Sequence, residues 1–430
     1  MAKTGKKAAT QRHWFKLDNA AKIFPGQNTK TWSNIFRIST VLKYKIEPAL
    51  LERALENVLP RFPCYDVRMR RGFFWYYLEK NEHKIPPVQP DIKNPCYRIH
   101  WRENRGFLFR VYYYENKISV DFFHALTDGA GATSFVSTLA AEYLRLAGHK
   151  ITPGEKVLDL DVKADPGELE DSFARYGDSK GKPRHREGFV YHAKGTKMPS
   201  HTANITTGYV SSGAVLAKAR EYGVTVTEFF AALMLDILYR KQKRESRKQK
   251  QVSVQIPVDL RRWFPSKTLR NFTMCYDVRI DPSLGDYTFE EILKQVSLYL
   301  RYINNPKELN AMMTSNLKLE RNFLLRAMPL AIKRAGIWIS FILTGERRTS
   351  FLLSNVGVVK LPADMREHVN HFIFMPGPGR INPARIGIGS FQDTMAITFA
   401  NAFEESDLER ELFTRLVRMG IHVKIESNRD

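Results

Sequence analysis

The stretch FFHALTDGAG, Phe122 to Gly131, sets one histidine at the end of an apolar run and an aspartate four residues later, ahead of two glycines. Side chains in a strand such as KISVDFFH alternate between faces, so Ile118, Val120, Phe122 and His124 share one side and His124 closes it. Strand ends open into clefts, and an imidazole held there, partly desolvated and beside a helix start, is placed to act as a general base. On position alone, a lone histidine ending an apolar face is more often a hydrogen-bonded structural residue than a catalyst.

Asp128 also has two readings. A carboxylate near an imidazole can fix its tautomer, as in a hydrolase triad. However, the sequence has no G-x-S-x-G elbow, and a sharp strand-to-helix turn separates the two residues. An aspartate at a helix start serves as a cap or dipole partner, and if buried it requires a cation.

The elements that must hold this pair alternate along the chain. NIFRISTVLKYKI reads as a strand, and EPALLERALENVLPRF as a helix with Leu50, Leu51, Leu55 and Leu59 at helical spacing, closed by Pro60 and Pro63. FFWYYLEK, YRIHW, GFLFRVYYYE and KISVDFFH follow as strands, the last two joined by a tight turn at Glu115 to Lys117. The next helix carries Phe135, Leu139, Tyr143 and Leu146 on one face and stops at Gly148.

From Asp161 to Thr202 the sequence turns polar and loses its periodicity, as an interdomain crossover does. Beyond it, VLAKAREYG predicts a helix ending at Gly223, and TVTEFFAALMLDILYRKQ a second one with Thr227 as N-cap. The charge run Lys241 to Lys250 reads as an exposed loop, and QVSVQIPVDL and FTMCYDVRID as strands. Residues 289–344 read as helical, with GIWISFIL, too short to span a bilayer, assigned to the core. SFLLSNVGVV is a strand, RIGIGSFQDTMAITFANAF a hairpin turning at Gln392-Asp393, and LERELFTRLVRMG a closing helix. The implied domains are 1–160, a crossover over 161–202, and 203–430.

Composition bounds the function. With 430 residues, 43% of them hydrophobic, the chain can bury a sizeable core in two α/β domains. Lys+Arg 67 against Asp+Glu 45 leaves a formal charge of +22, which fits an anionic partner: nucleic acid, acidic lipid or a phosphate-bearing small molecule. No zinc-finger spacing, helix-turn-helix or RNP-like segment supports nucleic acid. Cys64, Cys96 and Cys275 form neither a disulfide framework nor a CxxC pair, and there is no signal-peptide h-region or membrane-length apolar run. The expectation is a cytoplasmic protein. His368 and His371 lack a carboxylate or cysteine set to complete a metal site, and GPGR at Gly377 to Arg380 is a turn before it is a phosphate cradle.

The pattern H-x-x-x-D-G, as His124-Ala-Leu-Thr-Asp128-Gly129 at a strand-to-helix junction, resembles the signature of the chloramphenicol acetyltransferase-like superfamily. That group includes alcohol acetyltransferases, peptide-synthetase condensation domains, plant acyltransferases of the BAHD type and mycobacterial polyketide-associated acyltransferases. Further segments resemble it in order: AREYGVTVTEFFAALMLDIL, IPVDLRRWFP with LRNFTMCYDVRI, LLSNVGVVKLP and ARIGIGSFQDTMAITFANAF. WFKLDNAAKIFP and RFPCYDVRMRRGFFWYYLE look like free-standing bacterial alcohol acetyltransferase-type members. The resemblance covers nearly the whole chain and is weakest in the crossover.

It implies two acetyltransferase-like α/β domains, each a largely antiparallel sheet flanked by helices, with a channel between them that reaches His124 from both sides. An acyl thioester, on coenzyme A or a carrier protein, would enter one mouth and an alcohol or amine acceptor the other. His124 would be the base for direct attack without an acyl-enzyme, and Gly129 would complete the motif. Asp128 would turn away to pair with Arg279, which follows Phe272 by the family's spacing of seven. Condensation domains usually carry two adjacent histidines, whereas Phe123 precedes His124 here, which suits a free-standing acyltransferase. Ser354 or Asn355 in SNVG could donate to the oxyanion, or simply form a turn. No metal or permanently bound cofactor is implied. The basic surface would hold the coenzyme A phosphates or contact an anionic membrane, at Lys241 to Lys250 or the basic N-terminus, and the protein would be a monomer. The competing class is a non-catalytic relative of the same fold that binds an anionic or lipid partner.

Overall fold

The computed structural model describes residues 14–29, 32–177, 188–341 and 345–429. The basic start of the chain and the middle of the predicted crossover, 178–187, lie outside the described residues.

Among the described residues fifteen strands, numbered in chain order, form three sheets. A small antiparallel sheet holds β1 (Trp14–Lys16), β4 (Tyr76–Lys80) and β3 (Val67–Arg71). A five-stranded sheet runs β12 (Val369–Pro376), β2 (Ile35–Leu42), β7 (Lys117–Phe123), β6 (Phe109–Tyr114) and β5 (Gln89–Pro90). The largest, of seven strands, runs β10 (Thr273–Ile280), β9 (Val252–Asp259), β11 (Phe351–Val358), β13 (Ala384–Phe391), β14 (Thr394–Asn401), β8 (Asn204–Ser211) and β15 (Lys424–Ser427).

Strand β2 is buried along its whole length because it is paired on both edges, with Ile38 opposite Val120 of β7 and Phe374 of β12. Burial of both faces goes with apolar residues at five of its eight positions, while Arg37, Ser39 and Thr40 are buried polar groups. Its one cation, Arg37, donates to Asp121 across the ladder and to Asp91, at 2.6 Å each. Helices α1 (Phe24–Gln27), α2 (Pro48–Val58) and α3 (Gly129–Leu146) belong to this half. Both Gly148 after α3 and Gly223 after α5 (Ser212–Glu221) take positive φ, as helix-ending glycines do.

Strand β12 comes from the segment expected to form the C-terminal domain, yet it completes the sheet of the N-terminal half. Gly387 makes this exchange possible: a Cβ there would lie 2.2 Å from the carbonyl oxygen of Phe374, so only glycine lets β13 approach β12 so closely.

The second core forms around α6 (Val226–Glu245), in which Phe229 to Tyr239 are buried. Its N-cap is Thr225, not Thr227. A capping box needs a Glu or Gln three residues on, and Glu228 supplies it for Thr225, whereas Phe230 follows Thr227. The run Lys241 to Lys250 is not simply a loop: α6 continues through its first half, and Lys241 is buried between Glu245 and Asp407. YRIHW is irregular rather than a strand, the short β5 pairing with β6 instead.

The remaining helices are α4 (Ser172–Tyr176) in the crossover, α7 (Phe289–Ile303), α8 (Pro306–Arg321), α9 (Phe323–Ala327), α10 (Leu330–Ser340), α11 (Ala363–Arg366) and α12 (Asp407–Arg418). GIWISFIL is not core. Among its described residues, Ile337 packs on Gly26 of α1, while Gly336, Ile339 and Ser340 are exposed. EHVNH is no helix either: His371 sits on β12, so the helical-turn spacing of its two histidines does not exist. Cys64, Cys96 and Cys275 are free thiols. Among the described residues no single helix is long and apolar enough to cross a membrane.

Candidate active site

His124 follows the last residue of β7, and its backbone N–H donates to the Asn34 carbonyl at 2.9 Å. Its ring stacks on Phe24 of α1, centroid to centroid 4.6 Å, and leans on Phe36 of β2 at 5.0 Å. These contacts leave the imidazole one polar partner: Nδ1 lies 3.1 Å from Asn271 Oδ1. The Asn271 amide is oriented by its other end, where Nδ2 donates to the buried Asp18 at 3.3 Å. Asp18 also accepts from Ala21 N at 2.7 Å and lies 3.7 Å from Arg270. Burial pushes the Asp18 carboxyl up to about 6, with Arg270 opposing. Above that pH it can only accept, so Asn271 turns its oxygen to the imidazole. Nδ1 of His124 therefore carries the proton and Nε2 the lone pair. Among the described residues Nε2 has no hydrogen-bond partner. Burial also pulls the His124 pKa below the ordinary value of 6.5, against the opposing influences of Asp128 and Asn271, so the ring is neutral near pH 7.

Asp128 is the N-cap of α3. One oxygen accepts from Ala130 N and Gly131 N at 3.2 Å each, and the other from Arg261 Nη1 at 2.9 Å, Phe272 N at 2.7 Å and Thr273 Oγ1 at 3.0 Å. Burial alone would raise this carboxyl, but the Arg261 charge and the converging donors hold it below the usual range. The cation that burial demands is present, but it is not Arg279. Thr273 opens β10 beside Asp128, and Arg279 stands six residues further along, about 20 Å away at the rise of a strand. Its guanidinium donates instead to the carbonyls of Gly188 and Arg348.

Arg261, in the 3-10 turn after β9, also donates to Asp259, Thr268 O and Arg270 O. Gly131 is required here, since a Cβ would lie 2.1 Å from Leu269 O. Gly129 lines the cavity, where a Cβ would meet Val356 of β11 at 2.9 Å.

His124 faces a cavity of about 2160 Å³ walled by both halves of the chain. This exceeds the roughly 300–1,000 Å³ of a common ligand pocket. Exposed residues occur at several places around its lining, among them Glu155, Arg262, Trp263, Val358 and Lys360 on one side, Thr225, Cys275 and Arg301 elsewhere, and Leu325, Ile332 and Ile339 on α9 and α10. Ser354 and Asn355 line the wall on β11, where Asn355 accepts from Gly357 N at 2.8 Å and donates to Thr227 at 3.2 Å. Thr227, read from the sequence as a helix cap, is thus a cavity residue. No group of metal-ligating side chains occurs among the described residues.

Sequence reasoning missed Asp18, Asn271 and Arg261. Arg261 lies inside the motif IPVDLRRWFP and Asn271 directly precedes Phe272, but neither announces a partner far away in sequence.

No protein-family model and no curated protein matches the sequence. Solved structures resemble the fold over nearly the whole chain. TRI101 of Fusarium graminearum, complexed with coenzyme A and deoxynivalenol, has a TM-score of 0.65 at 10% identity, covering 96% of this chain and 99% of that one. The trichothecene 15-O-acetyltransferase of Fusarium sporotrichioides has 0.56 at 13%, covering 96% of each chain. Polyketide synthase associated protein 5 of Mycobacterium tuberculosis has 0.56 at 13%, covering 92% and 96%. The fold is that of condensation domains and chloramphenicol acetyltransferase-like acyltransferases.

Proposed function

We propose that this protein, built on that fold, is an acyltransferase that moves an acyl group from a thioester of coenzyme A to an alcohol or amine, with His124 as general base. The observation that carries the proposal is an imidazole on the cavity wall whose Nδ1 is held by Asn271, whose Nε2 has no hydrogen-bond partner among the described residues, and whose pKa burial lowers.

In this reading Nε2 takes the proton of the acceptor hydroxyl or amine as its oxygen or nitrogen attacks the thioester carbonyl. The carbonyl electron pair moves to oxygen, giving a tetrahedral oxyanion. Collapse reforms the carbonyl and breaks the C–S bond, and the imidazolium returns its proton to the departing thiolate. The charge balance closes without an acyl-enzyme or a metal. Ser354 and the second amide proton of Asn355 are the wall donors available to the oxyanion. Arg262 and Lys360, exposed on one side of the lining, supply cations for the donor's phosphates. Asp128 has no chemical part and holds the junction together. Coenzyme A in a structure of the same fold supports this donor class.

The test is thiol release from acetyl-, butyryl- and palmitoyl-coenzyme A with a panel of alcohols and amines, for the wild type and for His124→Ala of equal melting temperature. Acceptor-dependent release that falls by about 10²–10⁴ in the variant is the expected result. No release by either protein, with coenzyme A and carrier-protein donors alike, would leave the non-catalytic binding protein as the correct reading.

A further inference from the structure

Acyl transfer makes no use of the outer face of α9 and α10. From Arg321 to Phe341 the sequence holds four cations, Arg321, Arg326, Lys333 and Arg334, and no aspartate or glutamate. On the same stretch Phe323 is 79%, Leu324 75%, Ile332 57% and Ile339 53% exposed.

The turn between β3 and β4 joins this surface. Leu330 N donates to Phe73 O at 2.8 Å, and Lys333 Nζ donates to Phe74 O at 3.0 Å while lying 3.9 Å over the Trp75 ring. The turn thereby presents Phe73, 72% exposed, and Phe74 beside the helices, with the exposed Arg71 at the end of β3. The result is a row of separate apolar tips interleaved with arginines and free of acidic groups across both helices.

We propose that this face docks on an anionic lipid bilayer, its apolar tips entering the headgroup boundary and Arg321, Arg326 and Arg334 meeting the phosphates. Large exposed aromatics and leucines with interspersed cations are the composition of an interfacial helix. The absence of acids decides for an anionic layer over a protein surface of mixed charge. Docking has a consequence for the cavity. Leu325, Ile332 and Ile339 belong to both the exposed face and the cavity lining, so this side of the cavity would face the acyl chains and admit a substrate dissolved in the membrane. Only that last consequence rests on the acyl-transfer reading.

The experiment is co-sedimentation of the full chain with vesicles of phosphatidylcholine alone and of an equal mixture of phosphatidylcholine and phosphatidylglycerol. It needs no turnover, so it stands or falls apart from the enzymatic assay. The wild type should bind the mixed vesicles. Phe323→Glu with Leu324→Glu should weaken binding about tenfold or more, as should joint Arg321→Ala, Arg326→Ala and Arg334→Ala. Removing the same charge elsewhere, by Arg244→Ala, Arg247→Ala and Lys248→Ala, should change it less than about threefold. Three results would overturn the proposal: no binding by the wild type; equal loss in both charge-removal sets with none in the glutamate variant, which means diffuse adsorption; or a dimer in light scattering that the glutamate variant dissolves, which assigns the face to a second copy.

Discussion

Asp128 and His124 are four residues apart at one strand-to-helix junction, both read from the sequence as candidates for chemistry, and the fold treats them in opposite ways. Asp128 accepts from five donors, and its partner Arg261 spends the rest of its guanidinium on Asp259 and two carbonyls. His124 has aromatic faces, one bond at Nδ1 and an open Nε2. A carboxylate with its lone pairs filled by backbone and a buried cation cannot take a proton from a substrate without unmaking the junction. A ring fixed at one nitrogen can react at the other. Full satisfaction makes the aspartate a structural member of the junction, and under the proposed reading the imidazole nitrogen left without a partner is the one that takes the acceptor's proton.

The widest break in that comparison comes from Arg261→Ala. It strands the Asp128 charge in the interior, so a loss of about 3–5 kcal/mol in denaturant unfolding is expected, with activity falling as the fold does. A loss under about 1 kcal/mol would mean that the network is ornamental and that the aspartate is free for another role.

Asn271→Ala attacks the other side. It releases Nδ1 of His124 and the buried Asp18 together, and the expected loss is about 10–100-fold in kcat, the scale seen when a hydrogen-bond partner that orients a metal-bound histidine is removed, with KM little changed. Unfolding should cost less than for Arg261→Ala. A change confined to KM would show that Asn271 contacts the acceptor and does not orient the base.

The pH dependence sharpens the same contrast. As the proposed base, His124 must be neutral, and burial lowers its pKa, so kcat/KM should hold down through pH 6.5 and fall only below it. Asn271→Asp puts a negative charge at Nδ1 and should move this limb upward. Stability has matching signs. Both groups have depressed pKa values in the fold, so each contribution is present above the unfolded pKa and lost as pH falls through the folded one. For His124 the decline begins near 6.5, and for Asp128 only near the ordinary carboxylate value of about 3.9. An acid limb above 6.5 in the wild type would place a different group at the catalytic step.

Periodicity carried the local part of the fold into view. The alternation of KISVDFFH, the helical spacing of Phe135 to Leu146 and the glycines at 148 and 223 each follow from neighbours in sequence, and the elements stand where those patterns put them. What stayed hidden depends on partners far along the chain. The pairing of β12 with β2 joins residues more than three hundred positions apart, and the bond from Asn271 to His124 spans 147. GIWISFIL shows the converse: its composition is that of a core helix, and only the packing reveals that α10 forms a cavity wall with its outer side uncovered. At the site, the junction and its histidine were legible because strand and helix signals meet there. The cation was not, because a spacing of seven between Phe272 and Arg279 pointed along β10 while the true partner came from the turn before it.

That misplaced cation yields the finest of the tests. Arg279 donates to two backbone carbonyls and lies 3.9 Å from Asp277, so Arg279→Ala removes neutral-acceptor bonds and one loose ion pair. A loss of about 1–2 kcal/mol is expected, below that of Arg261→Ala, with the acid limb of the pH profile unmoved. Size alone does not separate a partner from a bystander, but a double-mutant cycle does. Asp128→Asn combined with Arg279→Ala should be additive to within about 0.5 kcal/mol, because the two residues share no contact. Asp128→Asn combined with Arg261→Ala should depart from additivity by more than about 1 kcal/mol, since either change alone already breaks the pair. Coupling in the first cycle and none in the second would return the buried aspartate to Arg279 and remove the turn after β9 from the architecture of the site.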